Sequence, residues 1–319
     1  MITRQTWYNG LRSGMRTSWV LSKIIFPVTF IVTILQYTPL LGLIERLFEP
    51  IMKWFGLSGE AAISLALGFM LNLYAAIGAI LSLDLTVKEV FILAIILSFS
   101  HSLFVETALC KRIGISGIVV VAVRLLLAFS SAIMIHLLWQ GGGEPAQYGL
   151  IAPEKPIDPT WGVVLYYGIK TAFMGILQLV MIVLPLMFGI QILKDLNILP
   201  KLARLLRPIT RLLGVSERTS ITLLAGLLFG LSFGAGVIIQ QAEEGNFSKR
   251  DLYLLLIFLV GCHAVVEDTL IFLPLGINVI PLLVIRIFVA FIITVIVARF
   301  WERFAKSPVS EQLNEGRTS

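Results

Sequence analysis

Charged side chains are scarce in this chain. They make up 14% of 319 residues, while 57% are hydrophobic and the mean hydropathy is +0.92; soluble globular chains carry about 25% charged residues. That balance excludes an ordinary water-soluble domain and indicates an integral membrane protein. Cysteine is scarcer still. Cys110 and Cys262 occupy non-equivalent places outside any CxxC pattern and read as small apolar packing residues. No basic stripe interleaved with aromatics occurs in a polar segment. The net charge of +6 therefore points to loops facing anionic lipid and cytoplasm, and no nucleic-acid partner is expected. The phosphate-loop pattern GxxxxGK[ST] and the zinc-protease pattern HExxH are both missing, and no Ser/His pair carries an oxyanion signature. Neither enzymatic activity nor a cofactor is expected. The apolar run after Arg4, Arg12 and Arg16 is long, contains Lys23 and lacks a small-residue cleavage site, which marks a first spanning helix rather than a removable signal.

The chain carries a tandem duplication. At an offset of 158, Tyr8 matches Tyr166, Gly10 Gly168, Pro27 Pro185, Phe30 Phe188, Arg46 Arg204, Pro50 Pro208, Gly56 Gly214, Gly68 Gly226 and Gly78 Gly236. At 162, Glu89 matches Asp251, Arg124 Arg286, Ala128 Ala290 and Phe129 Phe291. The four extra residues fall around Glu243 to Asn246. The matched set includes glycines, prolines and buried charges, so the repeat is structural and precedes any argument about fold. It divides the chain into a first repeat over 1–140, a linker over 141–165, a second repeat over 166–304 and a polar tail over 305–319.

Apolar segments suited to helices lie at about 18–37, 60–83, 87–109 and 115–139, and again at about 172–195, 217–241, 251–273 and 279–302; a spanning helix needs about 20 such residues. Thr86 and Ser248 precede the third segment of each half and read as N-caps. The shorter stretches 43–57 and 201–214 are amphipathic and suit an interface, with Arg204, Arg207 and Arg211 on one face of the second. The glycine-rich segments around Gly68 and Gly226 either span or enter and leave on one side. Cation bias decides between these. If they span, Lys and Arg outside the membrane segments divide 13 to 10; if they are re-entrant, 18 to 5. The expected fold is therefore all-α and polytopic, two inverted repeats of three spans, one re-entrant hairpin and one interfacial helix each, with both termini cytoplasmic in a bacterial-type inner membrane. Broken or re-entrant elements meeting at mid-depth are a secondary-transporter architecture.

Ionisable groups inside such segments are functional candidates. His101, Glu106 and Thr107 have a near-copy in His263, Asp268 and Thr269. Glu106 should pair with Arg124 and Asp268 with Arg286, since an unpaired buried charge is very unfavourable. Those pairs serve either as clasps between helices or as part of a substrate path. Two symmetric histidines can bind a divalent cation, carry protons or stabilise the core. His263 and Glu267 are four residues apart and would share a helix face. Asn72, Tyr74, Ser232, Gln240 and Gln241 are polar groups of the hairpins at membrane depth.

The doubled unit, an amphipathic helix, a glycine-rich apolar hairpin marked by Gly68, Gly78, Gly226 and Gly236, and two spans, resembles the Gate or nucleoside-recognition domain. That domain is shared by concentrative nucleoside transporters, the membrane part of FeoB-type ferrous-iron transporters and spore-maturation membrane proteins. The GTPase loop of FeoB-type proteins is missing, and Gly261-Cys262-His263 stands nearest their Gly-Cys-Pro signature without its proline. The resemblance implies a stand-alone member. It would move a small solute, nucleoside-like or a cation, through a midplane site, or act as a non-transporting scaffold of the spore-maturation type. Expected partners are that solute or ion, membrane lipid and a second copy of the chain. The cation split makes a direct prediction. Single cysteines at Ser58 and Ser216, in a Cys-free background, label from opposite sides of the membrane with an impermeant thiol reagent; labelling from one side refutes inversion.

Overall fold

The computed structural model describes residues 2–151, 160–243 and 248–305, with side chains as far as Leu231 before the second of these gaps and as far as Trp301 at the end. The elements are α1 (Arg4–Leu35), α2 (Pro39–Met52), α3 (Ala61–Met70), α4 (Leu73–Ile80), α5 (Val87–Ser100), α6 (Leu103–Arg112) and α7 (Gly117–Leu138), then α8 (Trp161–Asp195), α9 (Leu199–Leu205), α10 (Arg207–Leu212), α11 (Ser220–Glu243), α12 (Lys249–Gly261), α13 (Val265–Leu270) and α14 (Val279–Ala305). Six stretches among the described residues are long and apolar enough to cross a membrane: Arg4–Leu35, Val87–Arg112, Gly117–Leu138, Trp161–Asp195, Lys249–Leu270 and Val279–Trp301. The protein is an all-α, multi-pass membrane protein.

The two long helices α1 and α8 pack along one another. A methyl group built on Gly10 would lie 2.6 Å from the Phe188 ring, and one on Gly168 would lie 3.1 Å from the Phe30 ring. These contacts exchange under the repeat offset, and Gly10 pairs late in α8 while Gly168 pairs late in α1. The helices therefore run antiparallel and touch through a small residue facing a ring, the close approach that drives association where lipid removes the hydrophobic effect. Both helices begin well before the expected segments, and α8 starts at Trp161, inside the stretch read as linker.

Each glycine-rich segment is a helix pair. Asn72 adopts extended backbone between α3 and α4 and caps α4 by accepting from the Ala75 N–H at 3.0 Å. A Cβ on Gly68 would meet the Ala76 Cβ at 3.1 Å, so the two short helices fold back on each other. At the matching place in α11, Gly230 leaves helical geometry with φ 74°, a conformation open to glycine at no steric cost. One acid bonds residues on both sides of each segment. The Ser58 N–H donates to Glu89 Oε1 at 2.8 Å and the Thr86 N–H to Glu89 Oε2 at 2.9 Å. In the second half the Ser216 N–H donates to Asp251 Oδ1 at 2.9 Å and the Ser248 hydroxyl to Asp251 Oδ2 at 2.7 Å. Thr86 and Ser248 are the expected N-caps of α5 and α12. The insertion expected near Glu243 to Asn246 falls mostly outside the described residues.

The segments at about 87–109 and 251–273 correct an expectation of continuous helices. The first breaks at His101-Ser102 and the second at Cys262-His263-Ala264, where Ser102 and Ala264 take positive φ of 50° and 43°. Their N–H groups turn to the hairpins: Ser102 donates to the Gly68 carbonyl at 2.8 Å and Ala264 to the Gly226 carbonyl at 3.0 Å. These broken elements form the centre. In the apolar part of Val87–Arg112, 78% of residues are buried, and in Lys249–Leu270 72%, against 17% in Trp161–Asp195, whose large apolar side chains would face lipid. The stretch 201–214 is two short helices, α9 and α10, each with a proline at its start, and Arg204, Arg207 and Arg211 are exposed.

Candidate functional site

A helix cut at membrane depth leaves carbonyls without partners, and no water reaches them to compensate. Here arginines from the next helix supply the donors. Arg124 of α7 gives its Nε–H to the Phe99 carbonyl at 2.7 Å and an Nη2–H to the His101 carbonyl at 2.5 Å. Its Nη1 lies 2.8 Å from Glu106 Oε2 in the first turn of α6. Arg286 of α14 repeats the motif. Its Nη2 donates to the His263 carbonyl at 3.0 Å and to Asp268 Oδ2 at 3.1 Å. Both guanidinium groups are fully buried. The expected pairs are thus present, and each ties the two pieces of a broken helix to its neighbour. The carboxylates sit at helix N-termini, where the backbone dipole favours negative charge.

The histidines occupy the two breaks. Nδ1 of His101 is 2.7 Å from the Leu97 carbonyl and Nδ1 of His263 is 2.9 Å from the Leu259 carbonyl. Their rings face one another with centroids 5.2 Å apart, so the two repeats meet here. Glu106 reaches across: its Oε1 lies 3.2 Å from His263 Nε2 and 3.6 Å from His101 Nε2. Asp268 Oδ2 is 3.9 Å from His263 Nε2. The cluster forms one wall of a cavity of about 250 Å³, whose other walls are Asn72, Leu73 and Tyr74, Phe229 to Leu231, and Val20, Leu21 and Ile24 of α1. A larger groove of about 590 Å³ between α5, α7 and the start of α14 is lined by no ionisable side chain. α5 has 14 residues and α12 has 13 before their breaks. At 1.5 Å per residue the cluster lies about 20 Å along each segment, within the span of a layer of about 30 Å.

His101, Glu106, His263, Glu267, Asp268 and Asn72 come together around this cavity. Thr107 and Thr269 do not line it, and their Oγ1 atoms are buried without a hydrogen-bond partner. The Ser232 side chain lies outside the described residues, as do those of Gln240 and Gln241. One expectation is corrected. His263 and Glu267 do not share a helix face, because α12 ends at Gly261 and α13 begins only at Val265. Glu267 instead accepts a hydrogen bond from the Tyr74 hydroxyl of the other repeat. Spacing within one helix carries no sign of that contact. Nor does it reveal the reach of Glu106 to His263, or the bonds from Arg124 to carbonyls.

Comparison with known proteins agrees with this architecture. The family described as "Gate: Nucleoside recognition" matches residues 18–134 and 176–278, one block in each repeat. The chain belongs to the Gate family. It is also 52% identical over 303 residues to the uncharacterized membrane protein YvoD of Bacillus subtilis (strain 168), across 95% of this chain and 97% of that relative. No solved structure matches. Within this Gate protein the clasp makes an energetic prediction. Glu106→Gln alone leaves Arg124 short of its charge partner and costs about 3–5 kcal/mol of stability, as for other broken buried pairs. Adding Arg124→Met recovers part of that, not all, because the Phe99 and His101 carbonyls stay unpaired. Thermal unfolding in detergent reads the cycle, and strict additivity of the two changes would show that they do not interact.

Proposed function

We propose that the protein carries a small solute across a bacterial-type inner membrane through a site between its two halves. The observation that carries this reading is the cavity of about 250 Å³ lined by ionisable groups from both repeats. A core built for stability alone has no need of such a space. The rest of the reading follows from the topology. Each hairpin is held at both ends by one acid, Glu89 or Asp251, which suits a re-entrant element. Antiparallel α1 and α8, with the 18-to-5 division of cations, support inverted repeats with both termini cytoplasmic. In such a design one half rocks against the other around a fixed site. The glycines and broken helices provide close approach and half-helix ends facing the solute.

A second reading, a non-transporting membrane scaffold, has one observation in its favour: Arg124 and Arg286 are both already paired with acids. Reconstitution separates the two. Proteoliposomes containing the wild-type protein take up one member of a panel of nucleosides and divalent cations above the level of empty vesicles. His101→Ala and His263→Ala insert normally, yet each cuts the initial rate by about tenfold or more, the effect of losing a contact worth about 1.4 kcal/mol. Glu267→Gln has a smaller effect, since position 267 has no acidic counterpart at Val105. Absence of uptake across the whole panel would favour the scaffold.

A further inference from the structure

We infer that His101, His263, Glu106 and Asp268 form a binding site for a divalent first-row transition-metal ion, held by Nε2 of both imidazoles and by carboxylate oxygens of the two acids. As the cargo of the site this rests on the transport reading above; as a binding site it stands on its own geometry.

The argument begins with the direction of each ring. A backbone carbonyl only accepts, so the Nδ1 atoms 2.7 and 2.9 Å from Leu97 and Leu259 carry the hydrogens. In the neutral form each imidazole then turns the lone pair of its Nε2 toward the centre. Glu106 Oε1, which is also an acceptor, faces them at 3.2 and 3.6 Å. Lone pairs opposed at that range repel unless a proton or a metal ion lies among them, and two imidazoles with two carboxylates around one point are a donor set for the metal. The spacing suits it. Four ligands at 2.0–2.1 Å around a tetrahedral ion stand about 3.4 Å apart, close to both separations. One ligand atom each from His101, His263 and Asp268 also falls within a mutual 4.8 Å.

The surroundings are those of a ligand shell. Ligating histidines as a rule donate their second N–H to a carbonyl or carboxylate, which fixes tautomer and orientation, and both do so here. Arg124 engages Oε2 of Glu106 and leaves Oε1 to the centre. All four ligand residues are buried and border the cavity. Two imidazoles with carboxylates select zinc, iron, cobalt or nickel over magnesium or calcium, which prefer oxygen alone. The two guanidinium groups beside the acids reduce the negative charge available to the ion. That moderates affinity, as a site that must release its ion requires.

The test is a titration of metal-stripped, detergent-purified protein with Co2+. One ion per chain binds, with the strong visible absorption of a four-coordinate site, and Zn2+ displaces it. His101→Gln and His263→Gln, eluting as the wild type does, weaken binding by about 10–100-fold or more, at least the effect of removing an outer-shell partner. His136→Gln, distant from the cluster, changes nothing. His263→Cys restores a ligand and adds a thiolate-to-cobalt charge-transfer band, which a merely structural role would not produce. No Co2+ signal in the wild type, the outcome if the centre holds only a proton, overturns the inference, as does binding that survives loss of both histidines. Failure of the metal site with uptake of another solute intact leaves the transport reading standing. Metal binding with no uptake in vesicles refutes transport and leaves the site standing.

Discussion

The structure depends on one constraint: a helix broken inside a membrane must have its freed backbone groups satisfied by the protein. In each half a buried arginine does this. Arg124 and Arg286 bond the carbonyls at the end of the first piece and pair with the acid in the first turn of the next. The break also frees an N–H, at Ser102 and Ala264, and each is taken by a carbonyl of the glycine-rich hairpin. Three elements are thereby locked together: the hairpin tip, the broken span and the arginine-bearing helix. Gly68 and Gly226 permit this contact, since a Cβ there would meet Leu97 or Leu259 at 2.2 or 2.5 Å. Larger residues there require Leu97 or Leu259 to shift.

Two copies of this lock meet through their histidines, and the copies have diverged at the meeting point. The clasp is common to both halves, but sequence-equivalent residues in and near the break and the hairpin differ. By the repeat offset, Asn72 corresponds to Gly230, Tyr74 to Ser232, Val105 to Glu267 and Glu106 to Asp268. The extra methylene of Glu106 lets its second oxygen reach the opposite histidine. The shorter Asp268 stays with Arg286, whose Nε and Nη1 are left without hydrogen-bond partners. Duplication built the frame, and divergence gave its two halves different polar groups at the cavity.

Much of this frame is legible in the sequence, for a physical reason. Glycine at a close approach, arginine inside an apolar segment and an acid at a helix start tolerate few replacements, so both copies keep them, and the repeat offset pairs them. The offset matches Gly10 with Gly168, Glu89 with Asp251 and Arg124 with Arg286, and these occupy equivalent places. The breaks were not legible. Ser102 and Ala264 adopt left-handed backbone although neither is glycine, and tertiary hydrogen bonds to the hairpins sustain them. Hydropathy continues through the break, so a periodic reading extends the helix and places His263 above Glu267. The contacts between repeats, Glu106 to His263 and Tyr74 to Glu267, connect residues far apart in the chain, where local spacing carries no information.

The most direct test of this account is a single-particle structure in lipid nanodiscs at a resolution that shows side chains. The account predicts that the backbone leaves helical geometry at His101-Ser102 and at Cys262-Ala264, with Arg124 against the Phe99 and His101 carbonyls and Glu106 turned toward both imidazoles. An unbroken helix from Val87 to Arg112, with Arg124 directed elsewhere, would contradict it.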